Sequence, residues 1–351
     1  MAKAPQSVVA QVRRLMQENH LVKGNQTRGM LPLDEVVALL YEHNGSAYKV
    51  AKVIGTSHSS VAGRRRFVEE ALGITLPRGR PEVWKSQAHR HRININLDCA
   101  EVLMGSDLHA WPEIYGVAMA AFVDFNRRMK PAVVILNGDG LDGAQISRHS
   151  RLGWDKRPSP AEEIEALSDY LDQLRKANPN ARYIRTRGNH DTRLETYLAS
   201  NAPLVEGMKG TTLADHLPGW EECISVHFNT NEDGLDPELI AKHRGRHNGL
   251  HATFNELRAL GCSFVHGHLH SQKLVSWENA RGASYGVDLG MLAPKDHPGF
   301  DYHEDGIPNW RSGLGYFTFQ NAKLEVPELA TVVNEERGEL RFRGKTLKYE
   351  L

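Results

Sequence analysis

The chain is poor in the features that mark secreted, membrane-spanning or fibrous proteins. It has three cysteines in 351 residues, Cys99, Cys223 and Cys262, widely spaced and without a CxxC pair. That pattern excludes a disulfide scaffold, a zinc knuckle and a redox dithiol, and each cysteine is expected to serve as a small buried apolar residue. No apolar run reaches the roughly 18 residues a membrane helix needs, and the start MAKAPQSVVAQVRRLMQENH lacks the apolar stretch of a signal peptide. A cytoplasmic chain without membrane contact is expected. Net charge is lacking too: 43 Lys/Arg face 43 Asp/Glu, which taken alone argues against a polyanionic partner. With 40% hydrophobic and 25% charged residues the composition is that of an ordinary globular protein, long enough for two domains of unequal size.

The missing net charge is a cancellation. Residues 1–92 hold fifteen Lys/Arg against seven Asp/Glu, a net of +8, and the remainder carries −8. Such asymmetry points to a basic binding module joined to a domain of different purpose. The stretch LPRGRPEVWKSQAHRHR at 76–92 breaks any period with prolines and a glycine. The expected division is a helical domain at 1–80, a linker at 81–92 and a catalytic domain at 93–351.

Within the first segment Leu33, Val36, Val37, Leu40 and Tyr41 recur at helical spacing up to a stop at Asn44-Gly45. A short helix at 46–54, the turn Gly55-Thr56-Ser57 and a second helix at 58–72, capped by Ser57 or Thr56, resemble a helix-turn-helix. In that motif the second helix enters the major groove. Val61, Val68 and Leu72 face its core, whereas Arg64, Arg65 and Arg66 fall largely on other faces and are the candidate nucleic-acid contacts. Readers of this kind often pair, so a homodimer is an added expectation. The rival is a small helical bundle whose basic residues only keep it in solution.

From residue 93 the pattern changes to α/β. Short β-rich runs at 102–104, 132–136, 183–185 and 263–265 alternate with helical stretches such as 162–176. Each run ends in a loop: Asp107-Leu108-His109, Gly138-Asp139-Gly140-Leu141-Asp142, Gly188-Asn189-His190-Asp191 and Gly267-His268-Leu269-His270. In open α/β sheets ligands bind beyond the carboxyl ends of the strands, so the four loops are expected to meet. All four supply oxygen or imidazole donors of the kind that hold divalent metals.

The order DxH, GDxxD, GNHD, GHxH, spread over about 165 residues, resembles the calcineurin-like metallophosphoesterase superfamily. The resemblance implies a two-sheet α/β sandwich flanked by helices, with segments such as 315–319 and 339–343 completing its second sheet. It also implies two divalent ions, manganese as first choice and zinc, iron, nickel or magnesium as alternatives. One ion would be held by Asp107, His109, Asp139 and His270, the other by Asp139, Asn189, His268 and a histidine some 25 residues before GHxH. His243 is favoured for that last position, with His247 as the alternative because the usual His-Gly pair is absent. His190 would be the general acid, with Asp191 orienting its ring and Asp142 tuning a ligand from behind. Arg148, His149 and Arg193 are candidates for substrate phosphate. His251, His266 and His297 are expected to be structural or surface histidines.

Such a centre suits phosphate esters: paired cations neutralise phosphoryl oxygens and generate hydroxide near neutral pH. With the basic first segment, the leading expectation is a phosphodiesterase acting on nucleic acid, a DNA nuclease first. The layout also looks like phosphoesterases of phages and prophages. The alternatives are a phosphatase or phosphodiesterase for a small nucleotide or phosphoprotein, and a DNA-binding regulator or phage structural component with a vestigial site.

Overall fold

The computed structural model describes residues 5–18, 31–77, 91–148, 156–279, 282–303 and 308–351. The expected linker lies mostly outside them. Two compact units divide the chain, Met1–Gln87 and Ala88–Leu351. Among the described residues no helix is long and apolar enough to cross a membrane.

The described residues of the first unit form four helices: α1 (Gln6–Glu18), α2 (Leu33–Glu42), α3 (Ala47–Ile54) and α4 (His58–Leu72). The apolar periodicity explains its core, in which Val36, Val37, Leu40, Val50, Val61 and Val68 are buried. Each such side chain contributes about 1.5–3 kcal/mol on leaving water. Ser46 caps α3 by accepting from Lys49 N, Gly55 ends it in the left-handed region at φ 66°, and Ser57 caps α4 by accepting from Ser60 N. Helix α1, not singled out from periodicity, buries Val12 and Leu15 against this core.

The arginine run of α4 is largely spent inside the unit. Arg65 donates to the carbonyls of Gly45, Leu76 and Pro77 and pairs with Glu69, and Arg64 donates to Leu31 O. Only Arg66 is exposed. Of the three candidate nucleic-acid contacts, Arg64 and Arg65 thus face three chain segments converging on α4, and Arg66 is the one turned to solvent.

The second unit stacks two mixed sheets. One has the order β1 (Arg92–Ile95), β6 (Ser225–Phe228), β7 (Leu239–Ala241), β8 (Ser263–His266), β10 (Gly282–Asp288) and β9 (Lys273–Asn279). The other runs β15 (Lys345–Lys348), β14 (Glu339–Phe342), β13 (Glu328–Asn334), β11 (Gly313–Gln320), β2 (Ala100–Gly105), β3 (Val133–Asn137), β4 (Arg182–Thr186) and β5 (Glu221–Cys223), with β12 (Lys323–Leu324) beside β11. Strand alternation sets the layers. Val102, Met104, Val133 and Ile135 meet Val226, Phe228, Val265 and Val287 in one core between the sheets. Leu103, Val134 and Leu136 point the other way, into a second core with α5 (Val117–Met129) and α6 (Pro160–Ala177). Helix α8 (Ala252–Leu260) packs on β8, β9 and β10.

The tail strands depart from expectation. They do not complete the second sheet: β11 pairs antiparallel with β2, with Gly315 opposite Met104, and carries β13, β14 and β15 behind it. The edge of β2 is thereby covered, as an otherwise open strand edge requires. The cysteines also divide, with Cys223 buried but Cys99 exposed at a turn, so its expected burial is corrected; none forms a disulfide.

Candidate metal centre

Strands β2, β3 and β4 are parallel, and so are β7, β8 and β10 in the other sheet. The loops that follow β2, β3, β4, β7 and β8 therefore leave their sheets in corresponding directions. Backbone hydrogen bonds tie these loops together. Asp107 N and His109 N donate to Gly138 O and Asp139 O, each at 3.0 Å, and Gly267 N donates to His243 O at 3.0 Å. The glycines of GNHD and GHxH are there for close approach: a side chain on Gly188 would collide with Asp139, and one on Gly267 with Ser106 and Asp107. Asp107, His109, Asp139, His268 and His270 all have φ between 45° and 67°, the left-handed region that L-residues avoid.

Three groups of donor atoms result, each with its atoms within 4.8 Å of one another: Asp107, His109 and His270; Asp139, His243 and His268; and His109, Asp142 and His190. Asp107 Oδ1 lies 3.0 Å from His270 Nε2, and Asp139 Oδ2 lies 3.0 Å from His243 Nε2. Asp107, His109, Asp139 and His243 are almost wholly withdrawn from solvent. Among the described residues His109 Nε2 and Asn189 Oδ1 are buried without a hydrogen-bond partner. Buried polar atoms are rarely left so, and a bound cation is one of the groups that would satisfy them.

The two candidate histidines lie in different surroundings. His243 turns its Nδ1 to Asn137 O at 2.8 Å and its Nε2 into the centre, whereas His247 is held by Glu256 of α8 at 2.6 Å. Asp139 Oδ1 accepts the His190 N–H at 2.8 Å, and its Oδ2 faces His243. Asp191 does not orient the His190 ring. Its Oδ1 accepts from Gly140 N and Leu141 N, its Oδ2 from Asp139 N and Gly188 N, at 2.8–3.1 Å. It is a buried staple between the second and third loops, where its two oxygens answer four backbone donors that would otherwise be buried without an acceptor.

Asp142 orients the ring instead. Its carbonyl oxygen lies 2.9 Å and its Oδ1 3.1 Å from His190 Nδ1, and Oδ1 also meets His109 Nδ1 at 2.9 Å. With Nδ1 so engaged, His190 Nε2 is the outward atom and accepts from Arg193 Nη2 at 3.2 Å. Arg193 also donates to Asp142 O at 2.7 Å. Arg148 is exposed on the same loop and His149 lies outside the described residues. His266 is satisfied by Thr253 and Gly267, His297 bonds His109 O, and His251 is exposed.

The electrostatics follow from burying so many groups together. Burial disfavours charge on His243, but the carboxylates of Asp139 and Asp107 overcome it and push the ring to about 10. Burial likewise opposes ionisation of Asp139 and Asp142, and neighbouring histidines hold both well below the usual carboxylate range. His190 is raised: burial lowers it, and Asp142 and Asp139 more than compensate. His268 falls to about 4 through burial and the field of His243. One contributor had no signal in the sequence. Glu163 of α6, fully buried, accepts from Gly143 N and Ala144 N and so anchors the loop behind Asp142. Burial, opposed by those bonds and aided by Asp142, lifts its carboxyl to about 7.

Neither a family model nor a curated protein matches the chain. Among solved structures it is similar to Yfce, a phosphoesterase from E. coli, at 14% identity over 65% of this chain and 97% of that one, with a TM-score of 0.31. It is similar also to Chaetomium thermophilum Vps29, at 10% identity over 66% and 90% of the two chains, with a TM-score of 0.35.

Proposed function

We propose that the second unit is a metal-dependent phosphoesterase of the calcineurin-like type that hydrolyses phosphodiesters, and that the first unit directs it to nucleic acid, DNA in the first instance. The observation that carries this reading is the pair of buried donor groups, Asp107/His109/His270 and Asp139/His243/His268, with the orphaned His109 Nε2 and Asn189 Oδ1 beside them. Divalent cations held by these residues, manganese as first choice, would lower the pKa of water and neutralise phosphoryl oxygens.

The rest of the chemistry falls to side chains. Hydrolysis joins the oxygen of water to phosphorus and breaks the bond to the ester oxygen, which leaves with a proton. His190 is suited to deliver that proton from Nε2: its Nδ1 is engaged by Asp142, and two carboxylates raise its proton affinity. Arg193, against Nε2, would exchange that contact for a phosphoryl oxygen, to which its planar fork is matched. In the first unit, exposed Lys52, Arg66 and Phe67 on α3 and α4, with the capped glycine turn between the helices, support a helix-turn-helix engaged with DNA.

The test is a manganese-supplemented assay of the full chain on duplex DNA, single-stranded DNA and a small diester in parallel. DNA cleavage that Asp139→Asn abolishes and that deletion of residues 1–80 weakens, with the small diester spared by the deletion, is the expected result. Cleavage of the small diester alone would move the assignment to a small-nucleotide phosphodiesterase. DNA binding without any hydrolysis would leave only a DNA-binding protein.

A further inference from the structure

One flank of the metal centre is aromatic, and the chemistry just described does not use it. His109 and His270, ligands of one donor group, pack against Phe300 at ring-centroid distances of 5.2 and 5.6 Å. His270 also meets Trp310 at 4.7 Å, and Phe300 backs Trp310 at 5.0 Å. Trp111 stands edge-on to His297 at 5.2 Å, and His297 lies 4.9 Å from Phe300. Phe300 and Trp310, with Met291 and Ala293, form a small apolar cluster separate from both sheet cores. Phe300 and His297 are buried, whereas Trp111 and Trp310 remain partly exposed.

His297 is fixed by two backbone contacts, its Nε2 donating to His109 O and its Nδ1 accepting from Gly299 N. The flank is also one-sided. The other donor group, with His243, borders exposed Lys242 and Arg244. A centre that handles a phosphate thus has a cationic approach on one side and two part-exposed indoles on the other. A phosphate with a planar aromatic group on one ester arm fits that division, because any base offers a π-face to stack on an indole.

We propose that Trp310, backed by Phe300, and Trp111, backed by His297, form the stacking platform for the nucleobase next to the phosphate in the metal centre, which makes nucleoside phosphates the substrate class. The platform rests on the phosphoesterase reading for where the phosphate sits. Its energy comes from base–indole stacking, which tolerates all four bases, so the platform selects nucleotides over other phosphate esters without selecting among nucleotides.

The experiment measures calorimetric affinities of the full-length, manganese-loaded protein for AMP and for ribose 5-phosphate. AMP should bind about tenfold more tightly. Trp310→Ala should erase most of that ratio and Trp111→Ala part of it, while Trp310→Phe, which keeps a π-face and the packing on Phe300, should retain it. Equal affinities in the wild type, or a ratio unchanged in both alanine variants, would overturn the platform. Hydrolysis of methyl 4-nitrophenyl phosphate reads whether the centre reacts at all, whichever way its aryl ring is held. No hydrolysis with the AMP preference intact would sink the reaction and keep the platform; hydrolysis without that preference would sink the platform alone. A short single strand serves as the last ligand. If Trp310→Ala weakens it by the same factor as AMP, the platform takes a nucleotide within a strand; a loss confined to AMP identifies a free nucleotide.

Discussion

Replacing Asp191 by asparagine separates two accounts of that residue. The carboxylate is buried, and each of its oxygens accepts two backbone N–H groups, from Gly140 and Leu141 on one side and from Asp139 and Gly188 on the other. Asparagine keeps the shape but turns one oxygen into an amide donor. Whichever way the amide settles, two buried N–H groups lose their acceptor, at about 1–3 kcal/mol each, for a total of about 2–6 kcal/mol. That is a large share of the roughly 5–15 kcal/mol that holds a domain together. Urea denaturation in chelator, followed by tryptophan fluorescence, measures it in the relevant unit, because five of the six tryptophans lie beyond residue 87. The loss should extend to the metal, since the stapled loop carries Asp139. If Asp191 instead served to orient His190, stability would be untouched and only the pH profile of turnover would change. A variant within about 0.5 kcal/mol of wild type would refute the staple.

The doubtful ligand can be tested by calorimetry: His243→Ala should bind one manganese ion fewer, and His247→Ala, which removes only a contact with Glu256, should bind as the wild type does. In the helical unit, Arg65→Ala should cost about 1–3 kcal/mol, because it strips donors from the carbonyls of Gly45, Leu76 and Pro77. Arg66→Ala should leave the melt unchanged, lower DNA affinity and reduce the salt slope by about 1; equal melts for the two variants would contradict this division. Glu163 gives a pH signature. Its carboxyl rises from an ordinary 4.5 to about 7 on folding, so the folded state keeps a proton that the unfolded chain releases. The resulting stability is full below pH 4.5 and is lost as pH climbs through 7, by at most about 3 kcal/mol. Melts in chelator at pH 5 and 7.5 should therefore differ more for wild type than for Glu163→Gln, and matching slopes would rule the effect out.

What could be foreseen and what could not divides along physical lines. The strands ending at Asp107, Asp139 and Asn189 announce themselves because a buried parallel strand is an apolar run and its carboxyl-end loop is rich in Gly, Asp and His. The helices at 33–42 and 58–72 announce themselves by apolar period and caps. The staple of Asp191 has no such signal, since its partners are backbone N–H groups that every residue but proline possesses. The same holds for Arg65, whose carbonyl acceptors lie up to twenty residues away, and for Glu163, whose partners precede it by about as many. The choice between His243 and His247 turned on Glu256, a residue of a helix further along the chain. The tail strands were read correctly as strands, but which sheet they joined depended on β2 having an edge to cover.

The left-handed backbone at the ligand residues has a consequence for how this chain would decay. Five of them hold φ between 45° and 67°, a conformation that glycine adopts freely and that aspartate and histidine tolerate only somewhat better than most L-residues. If cation binding is what keeps these side chains in place, then in a lineage released from it positions 107, 109, 139, 268 and 270 would be the first to drift, and toward glycine, because that change lets the backbone relax. A descendant without the site would thus be marked by glycine accumulating at particular turns, well before its sheets or its core had changed.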